Sequence, residues 1–340
     1  MKRALVLCPG RGSYGRDSLG SLDGLHSPRL DVFEALRSDA GRPTPREMDA
    51  AEKFSSKFHV RGENASSLTA GVSVADLDQV DPEGFRIVGV IGNSMGWYTA
   101  LGYAGALPMH DCATLIETLG QYQAGNIVGG QIVYPLVDEQ WRIDPKREQM
   151  VNATIDATED LHWSIRLGGQ AVLGGTEEAL AQALEKLPSL QLGSHSFPLR
   201  LPLHSAFHTP LMTDSAIRAQ EELHDLSWRS PHTTMIDGHG QVWKPVHSDP
   251  TKIRKYTLST QVTEAFDLRR CIRTALRTVA PDVIILPGPG SNLGSAVAQT
   301  LILEGWAGIT SRDAFVARQN DDPVLLSMRW PDQRARVVAQ

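Results

Sequence analysis

The sequence predicts an α/β protein in which a small unit is inserted into a large one built on a parallel sheet. Short apolar runs at residues 4–8, 85–91 and 283–286 alternate with segments of helical spacing, which is typical of parallel sheets with helical crossovers. The residue pattern changes after Gly125 and returns near residue 202. The length of 340 residues suits one large domain with an insertion, or two domains.

The large unit is expected to span residues 1–125 and 202–320. Its first strand, residues 4–8, ends at Pro9-Gly10. The other elements predicted before the insertion are helices at 27–37 and 65–80, a strand at 85–91, and helices at 97–104 and 109–124. After the insertion come a helix at 209–223, a strand at 233–237, a helix at 262–280, a strand at 283–286 and a helix at 292–304. Residues 321–340 are rich in Asp, Pro, Arg and Gln, and are expected to form a peripheral tail.

The small unit is expected to span residues 126–201. Thr176 is placed to cap one of its helices, with two glutamates in the first turn. The predicted elements are a strand at 127–137, a helix at 144–157, strands at 161–167 and 170–173, a helix at 176–187 and a strand at 197–201. This β-α-β-β-α-β order predicts a ferredoxin-like fold.

Composition and charge exclude several classes of protein. The formal net charge is −6, which argues against a general nucleic-acid role. No apolar run is long enough to span a bilayer, and the apolar stretch after Lys2-Arg3 is too short for a signal peptide. Cys8, Cys112 and Cys271 lie far apart, so neither a disulfide framework nor a paired-cysteine metal site is indicated. We expect a reduced, cytoplasmic enzyme.

The strongest chemical signal is Gly92-Asn93-Ser94-Met95-Gly96, a G-x-S-x-G pattern between a predicted strand and a predicted helix. Such an elbow holds a serine on a tight turn, and the following helix directs its free N–H groups toward an oxyanion formed there. The pattern predicts that Ser94 is a nucleophile and that the large unit is α/β-hydrolase-like. The alternative is a plain strand–turn–helix connection.

A serine nucleophile needs a base, and two histidines compete for that role. His208 follows a predicted strand and precedes a helix, on a loop that could face Ser94, and His204 lies four residues earlier. Both could instead be surface residues. Their spacing also allows a metal pair, although Pro210 argues against one helix carrying both and no third ligand is apparent.

The segment from Gly10 to Gly15 has the form G-x-G-x-x-G after a strand. A dinucleotide site with Asp31 or Glu34 as the ribose acid is one interpretation, but it needs a helix that opens inside the glycine run. A backbone loop that offers N–H groups to an oxyanion beside Ser94 is favoured. A bare loop is the third interpretation.

Four motifs in one order resemble the malonyl-CoA:acyl-carrier-protein transacylase family, which includes the acyltransferase domains of fatty-acid and polyketide synthesis. They are Pro9-Gly10-Arg11-Gly12-Ser13, Gly92-Asn93-Ser94-Met95-Gly96, Ala206-Phe207-His208-Thr209-Pro210 and Gly288-Pro289-Gly290. The resemblance covers about residues 4–310.

The resemblance implies that Ser94 carries the acyl group and that His208 is its base, oriented by a backbone carbonyl near residues 259–261. The N–H groups of Arg11 and Met95 would form the oxyanion hole. Substrates would be acyl-CoA and the phosphopantetheine arm of an acyl carrier protein, with no bound cofactor and no metal, and the enzyme would be a monomer that binds neither nucleic acid nor membrane.

Departures from the family pattern concern the acyl pocket. Arg11 replaces the usual glutamine, Asn93 and Trp97 replace histidine and glutamate, and Leu119 stands where the family has a carboxylate-binding arginine. A buried malonyl carboxylate would then lack a partner unless Arg11 or Arg166 supplied the charge. Otherwise the acyl group is neutral, or the enzyme is an acyl-carrier-protein thioesterase that removes wrong acyl groups. A non-catalytic protein that only binds a carrier protein is a further hypothesis.

Overall fold

The computed structural model describes residues 1–192 and 195–339, so residues 193–194 of the predicted insertion and residue 340 of the predicted tail lie outside the described residues. The strands are β1 (Lys2–Cys8), β2 (Phe85–Gly92), β3 (Gly130–Pro135), β4 (Leu161–Leu167), β5 (Gln170–Gly175), β6 (Leu190–Leu192), β7 (His195–Phe197), β8 (Leu199–Leu201), β9 (Met235–Ile236), β10 (Val242–Trp243), β11 (Phe266–Asp267), β12 (Val283–Leu286) and β13 (Leu325–Ser327).

The α-helices run between these strands. They are α1 (Pro28–Asp39), α2 (Pro45–Asp49), α3 (Ser56–His59), α4 (Gly62–Leu77), α5 (Gly96–Tyr103), α6 (Met109–Gln121), α7 (Pro145–Asp156), α8 (Glu177–Lys186), α9 (Thr213–Glu222), α10 (Pro250–Lys255), α11 (Gln261–Thr263), α12 (Leu268–Val279), α13 (Leu293–Leu303), α14 (Arg312–Asp321) and α15 (Pro331–Arg334). Short 3-10 turns and one π-helical turn, Tyr256–Thr260, complete the described chain.

The central sheet has the order β10-β9-β2-β1-β12-β13, and all neighbouring pairs are parallel except β9 with β10. Strand β1 lies inside the sheet and is apolar on both faces. Leu5 and Leu7 pack against α12 and α13, while Val6 and Cys8 join the core under α4, α5 and α6. Burial on both faces explains why the strand is a continuous apolar run rather than an alternating one.

The small sheet has the order β11-β4-β5-β3-β8, with antiparallel pairing from β4 to β8. Without β11, this is the strand order of a ferredoxin-like fold, as the sequence predicts. Alternate side chains separate its two faces: Ile132 and Tyr134 lie in the core under α7 and α8, while Val133 faces the large unit. Thr176 caps α8 through its side chain, which accepts from the N–H of Ala179.

One predicted helix, residues 262–280, is interrupted in the structure. Phe266 and Asp267 form β11, which pairs in parallel with β4 of the small sheet. The Asp267 side chain then caps α12 by accepting from the N–H of Arg270. Because the apolar spacing continues across the break, the sequence pattern predicted one helix where the structure has two helices separated by a strand.

The prediction of a peripheral tail at residues 321–340 is wrong. Strand β13 pairs in parallel with β12 and forms an edge of the central sheet. Leu326 and Met328 are buried there with Val337, which returns over the same edge. The strand was not predicted because its short apolar segment is surrounded by charged residues. Within residues 1–192 and 195–339, no helix is both long and apolar enough to cross a membrane.

Candidate active site

Ser94 occupies a sharp turn between β2 and α5. Its φ of 55° is in the left-handed region that non-glycine residues seldom adopt. The flanking glycines are required by close backbone approach: a Cβ on Gly92 would lie 2.1 Å from the carbonyl carbon of Gly96, and one on Gly96 would lie 2.1 Å from the carbonyl oxygen of Cys8. Strain of this kind is typical of functional turns, and it leaves the serine hydroxyl at the carboxyl end of the parallel sheet.

His208 lies within hydrogen-bond distance of this serine. The Ser94 Oγ to His208 Nε2 distance is 2.7 Å, and His208 Nδ1 is 2.5 Å from the carbonyl oxygen of Gln261. Because a carbonyl only accepts, Nδ1 carries the ring proton and Nε2 is free to accept from the hydroxyl. The family resemblance implies a carbonyl near residues 259–261 that orients the histidine, and in the structure the carbonyl that bonds His208 is that of Gln261.

The π-helical turn Tyr256–Thr260 precedes Gln261 and presents its carbonyl toward the histidine. The Gln261 side chain is also buried, and its Nε2 donates to the carbonyl oxygen of Ser94 at 3.3 Å. One residue therefore contacts both members of the pair. Wide helical turns of this type occur frequently at functional sites.

Burial controls the ionisation of His208. The side chain is enclosed, and its ring lies 5.7 Å from the ring of Phe266. Desolvation lowers the pKa of His208 to about 4, and the hydrogen bond to Gln261 only partly opposes this effect. The imidazole is therefore neutral at physiological pH, which is the form that can take a proton from Ser94.

The loop after β1 packs against the elbow. A Cβ on Gly10 would lie 2.6 Å from the carbonyl oxygen of Asn93. In the described chain, the backbone N–H groups of Arg11 and Met95 have no hydrogen-bond partner, which suits the predicted oxyanion hole. The dinucleotide interpretation fails because a single 3-10 turn, Arg16–Ser18, follows the glycine run, and α1 begins only at Pro28.

A cavity of about 570 Å³ opens in front of Ser94 between the large unit and the small sheet. Its small-sheet wall is formed by alternate strand residues that share the inward face. These are Val133, Ile165, Leu167, Val172, Leu199 and Leu201. The opposite wall comes from α4, α5 and α6 of the large unit, so the cavity belongs to both units.

The small unit also contacts the loop that carries the histidine. Ser164 of β4 donates its hydroxyl to the carbonyl oxygen of Phe207 at 2.7 Å and accepts from the side chain of Gln131 at 2.6 Å. Gln131 in turn bonds His204 Nδ1 at 2.8 Å. The position of His208 therefore depends on contacts from both units.

The predicted acyl-pocket residues fall into two groups. Leu119, Asn93 and Arg11 line the cavity. Trp97 is fully buried outside the cavity, where its Nε1 donates to Thr257 Oγ1 at 2.9 Å. The indole packs in the large-unit core, so the prediction that Trp97 lines the acyl site is wrong.

Arg166 also does not line the cavity, contrary to the sequence-based expectation. Its guanidinium pairs with Glu148 at 2.9 Å and stacks on the ring of Trp163. The reason is the strand geometry: Ile165 and Leu167 on β4 face the cavity, and Arg166 between them points to the other face.

His204 and His208 do not form a metal pair. His204 Nδ1 bonds Gln131, and burial followed by the charge of Arg11 lowers the pKa of His204 to about 3. Among the described residues, no group of three or more His, Cys, Asp or Glu is arranged to hold a metal. His204 does line the cavity, close to Gly12.

Sequence reasoning missed two parts of the site. The Gln261 side chain carries no local signal, because an isolated glutamine after a helix is common on protein surfaces. The apolar cavity wall could have been inferred from the alternating residues of β3, β4 and β5. Helices α7 and α8 can cover only one face of this small sheet, yet the residues on its other face are also apolar, so that face must line another surface.

Comparison with known proteins gives structural matches alone. No family model matches the chain, and no curated protein matches it. The malonyl-CoA:ACP transacylase of Synechocystis superposes with a TM-score of 0.73 at 16% sequence identity, covering 99% of this chain and 100% of that one. The corresponding transacylase of Xanthomonas oryzae gives 0.70 at 22% identity, covering 98% and 97%.

A third structure contains an acyl carrier protein. It is a malonyl-transacylase in complex with the acyl-carrier protein of a type II polyketide synthase, and it gives a TM-score of 0.69 at 17% identity over 88% of this chain and 93% of that one. At these identities the likeness concerns the fold. The predicted fold class, a parallel-sheet α/β unit with a small inserted unit, is confirmed.

Proposed function

We propose that the protein is an acyltransferase of the malonyl-CoA:acyl-carrier-protein transacylase type. The observation that carries this proposal is the Ser94–His208 pair, with Oγ and Nε2 2.7 Å apart and Nδ1 directed at the Gln261 carbonyl, at the mouth of a cavity. The fold likeness to such transacylases supports the same reaction class.

In the first half-reaction, Ser94 Oγ attacks the carbonyl carbon of a bound acyl-CoA thioester while His208 Nε2 takes the hydroxyl proton. The tetrahedral intermediate places its oxyanion toward the backbone N–H groups of Arg11 and Met95. The carbon–sulfur bond then breaks, and the imidazolium returns the proton to the leaving coenzyme A thiolate. The product is an acyl ester on Ser94.

In the second half-reaction, the phosphopantetheine thiol of an acyl carrier protein attacks the ester and gives its proton to His208. The carbon–oxygen bond breaks, and His208 reprotonates Ser94. The partner is proposed because one structure of the same fold is described as a complex with an acyl-carrier protein. The alternative second acceptor is water, which would make the protein a thioesterase.

The test is intact-mass spectrometry of the protein after exposure to a panel of acyl-CoAs, followed by addition of a phosphopantetheinylated acyl carrier protein. We expect an acyl adduct on the wild type, none on Ser94→Ala, and transfer of that acyl group to the carrier protein. Release of free acid without transfer would establish the hydrolase instead. Equal labelling of wild type and Ser94→Ala, or no adduct with any thioester, would refute the proposal.

A further inference from the structure

One residue of the cavity lining carries a cation that no carboxylate of the described chain pairs with. Among the described residues of the lining, Arg11 is the only arginine or lysine. Its Nη2 donates to the carbonyl oxygen of Leu203 at 2.7 Å, and its guanidinium lies 4.8 Å from the ring centroid of Phe207. The Nε atom is buried and has no hydrogen-bond partner within the described chain.

Carboxylates near Arg11 are engaged elsewhere. Glu63 contributes an attractive charge from a distance, but its carboxylate pairs with Arg61 at 2.6 Å. No aspartate or glutamate in the described part of the chain lies within 4 Å of the Arg11 guanidinium. Burial lowers the pKa of Arg11 to about 10, so the group stays charged at neutral pH in a poorly solvated position. Such a charge is costly unless a ligand pairs with it.

The guanidinium lies near the part of the cavity wall that includes Leu119 and Gly120. A Cβ on Gly62 would lie 2.7 Å from Arg11 Nη1 and 2.5 Å from Gln123 Cβ, and Gly62 is in contact with Gly120, the neighbour of Leu119. The Arg11 side chain therefore extends from the loop after β1 to the place where α4 and α6 meet. Gln123 also lines the cavity there and adds a polar side chain to this corner.

Gly62 is also the first residue of α4, and no side chain caps this helix. A cation at a helix N-terminus is unfavourable, because the helix already concentrates partial positive charge there. An anion in the same corner would interact favourably with both the guanidinium and the helix end. The arrangement is thus suited to a carboxylate and poorly suited to a neutral chain end.

We infer that Arg11 is the specificity-determining residue of the acyl cavity and binds the distal carboxylate of a dicarboxylic acyl group. This inference rests on the proposed function. Arg11 then has two roles: its backbone N–H contacts the thioester oxygen, and its side chain holds the far end of a short acyl group. The guanidinium supplies the positive charge that a buried carboxylate needs, and its Nε–H, which has no partner within the described chain, is an additional donor for that carboxylate.

The competing role for Arg11 is structural, since its contacts with Leu203 and Phe207 join the loop after β1 to the loop that carries His208. The two roles are separated by measuring kcat/KM for malonyl-CoA and propionyl-CoA in four proteins: wild type, Arg11→Gln, Leu119→Arg and the double variant Arg11→Gln/Leu119→Arg. Arg11→Gln introduces the residue that the family usually has. Arg11→Lys keeps the charge without the paired donors and serves as a second variant if Arg11→Gln folds poorly.

We expect the wild type to prefer malonyl-CoA at least tenfold. Arg11→Gln should lower kcat/KM for malonyl-CoA at least 10²-fold more than kcat/KM for propionyl-CoA, because a neutral chain end makes no use of the charge. The double variant should recover malonyl-CoA activity to within about tenfold of the wild type, since an arginine at position 119 restores a cation to the same corner.

An equal loss for both substrates in Arg11→Gln would assign Arg11 a structural role and overturn the inference, as would a wild-type preference for propionyl-CoA. In both cases transfer of an acyl group from Ser94 to the carrier protein would still be observed, so the proposed transferase would stand. Absence of an adduct with either thioester would instead refute the proposed function itself.

Discussion

The low pKa of His208 leads to a quantitative expectation for the reaction of Ser94 with an electrophile. An imidazole with a pKa of about 4 is about 97% neutral at pH 5.5, whereas one at the ordinary value of 6.5 would be only about 9% neutral. Lowering the pH from 7 to 5.5 should therefore change the reaction rate by only a few per cent. With an unperturbed histidine the same change would lower the rate about eightfold.

The assay is the second-order rate of Ser94 modification by a neutral fluorophosphonate, followed by intact-mass spectrometry from pH 4.5 to pH 8. This reagent is preferable to acyl-CoA because the phosphates of coenzyme A titrate in the same range. The Ser94→Ala variant gives the background rate. Circular dichroism at each pH, with recovery of the rate after return to pH 7, separates protonation from unfolding.

The expected profile is a plateau from pH 8 to about pH 5.5, with a rate at pH 4.5 that is still about three quarters of the plateau value. A decline centred near pH 6.5 would show that His208 is solvated during the reaction, and the argument from burial would then be wrong.

Three further predictions concern the same elements. His208→Gln should slow acylation of Ser94 by about 10²- to 10⁴-fold, measured by rapid quench and mass spectrometry, and a loss below tenfold would contradict a general-base role. Because the folded-state pKa of His208 is lowered, its contribution to stability is present above pH 6.5 and is lost as the pH falls toward 4. Urea titrations should therefore show that the wild type loses about 2 kcal/mol more than His208→Gln between pH 7 and pH 5; parallel losses would refute this. Gly96→Ala should destabilise the protein by more than about 3 kcal/mol because its Cβ meets the Cys8 carbonyl oxygen, whereas the control Gly294→Ala, in an open position within α13, should be neutral or stabilising by up to about 1 kcal/mol; similar melting temperatures for the two would contradict the packing of the elbow.

The sequence predicted those parts of the site that depend on local backbone geometry. Ser94 was identifiable because a strained turn between a strand and a helix demands glycines at fixed offsets, and the chain has them at Gly92 and Gly96. The position of His208 was less certain from local pattern alone, since two histidines share the same loop. Only the tertiary structure distinguishes them, by placing His208 at Ser94 and His204 at Gln131.

Predictions that depended on the direction of a side chain across the interface were less successful. Arg166 was expected in the cavity, but strand alternation turns it toward Glu148. Phe266 was expected in a helix, yet it pairs with β4, a contact about a hundred residues away in sequence. The apolar residues around Phe266 fit either a helix or a strand, and the long-range pairing with β4 decides between the two.

The two units of the molecule are in contact at the Ser94–His208 pair itself. Phe266 lies in β11, which pairs with β4, and its ring packs against the ring of His208. Ser164 of β4 donates a hydrogen bond to the carbonyl oxygen of Phe207. A substrate too bulky for the gap would push the two halves apart and carry the imidazole away from the hydroxyl. Since displacements of about 1 Å at reacting groups can reduce rates by about 10²-fold, the proposed function implies that poorly fitting acyl groups are rejected mainly through slower turnover once bound, and less through weaker binding.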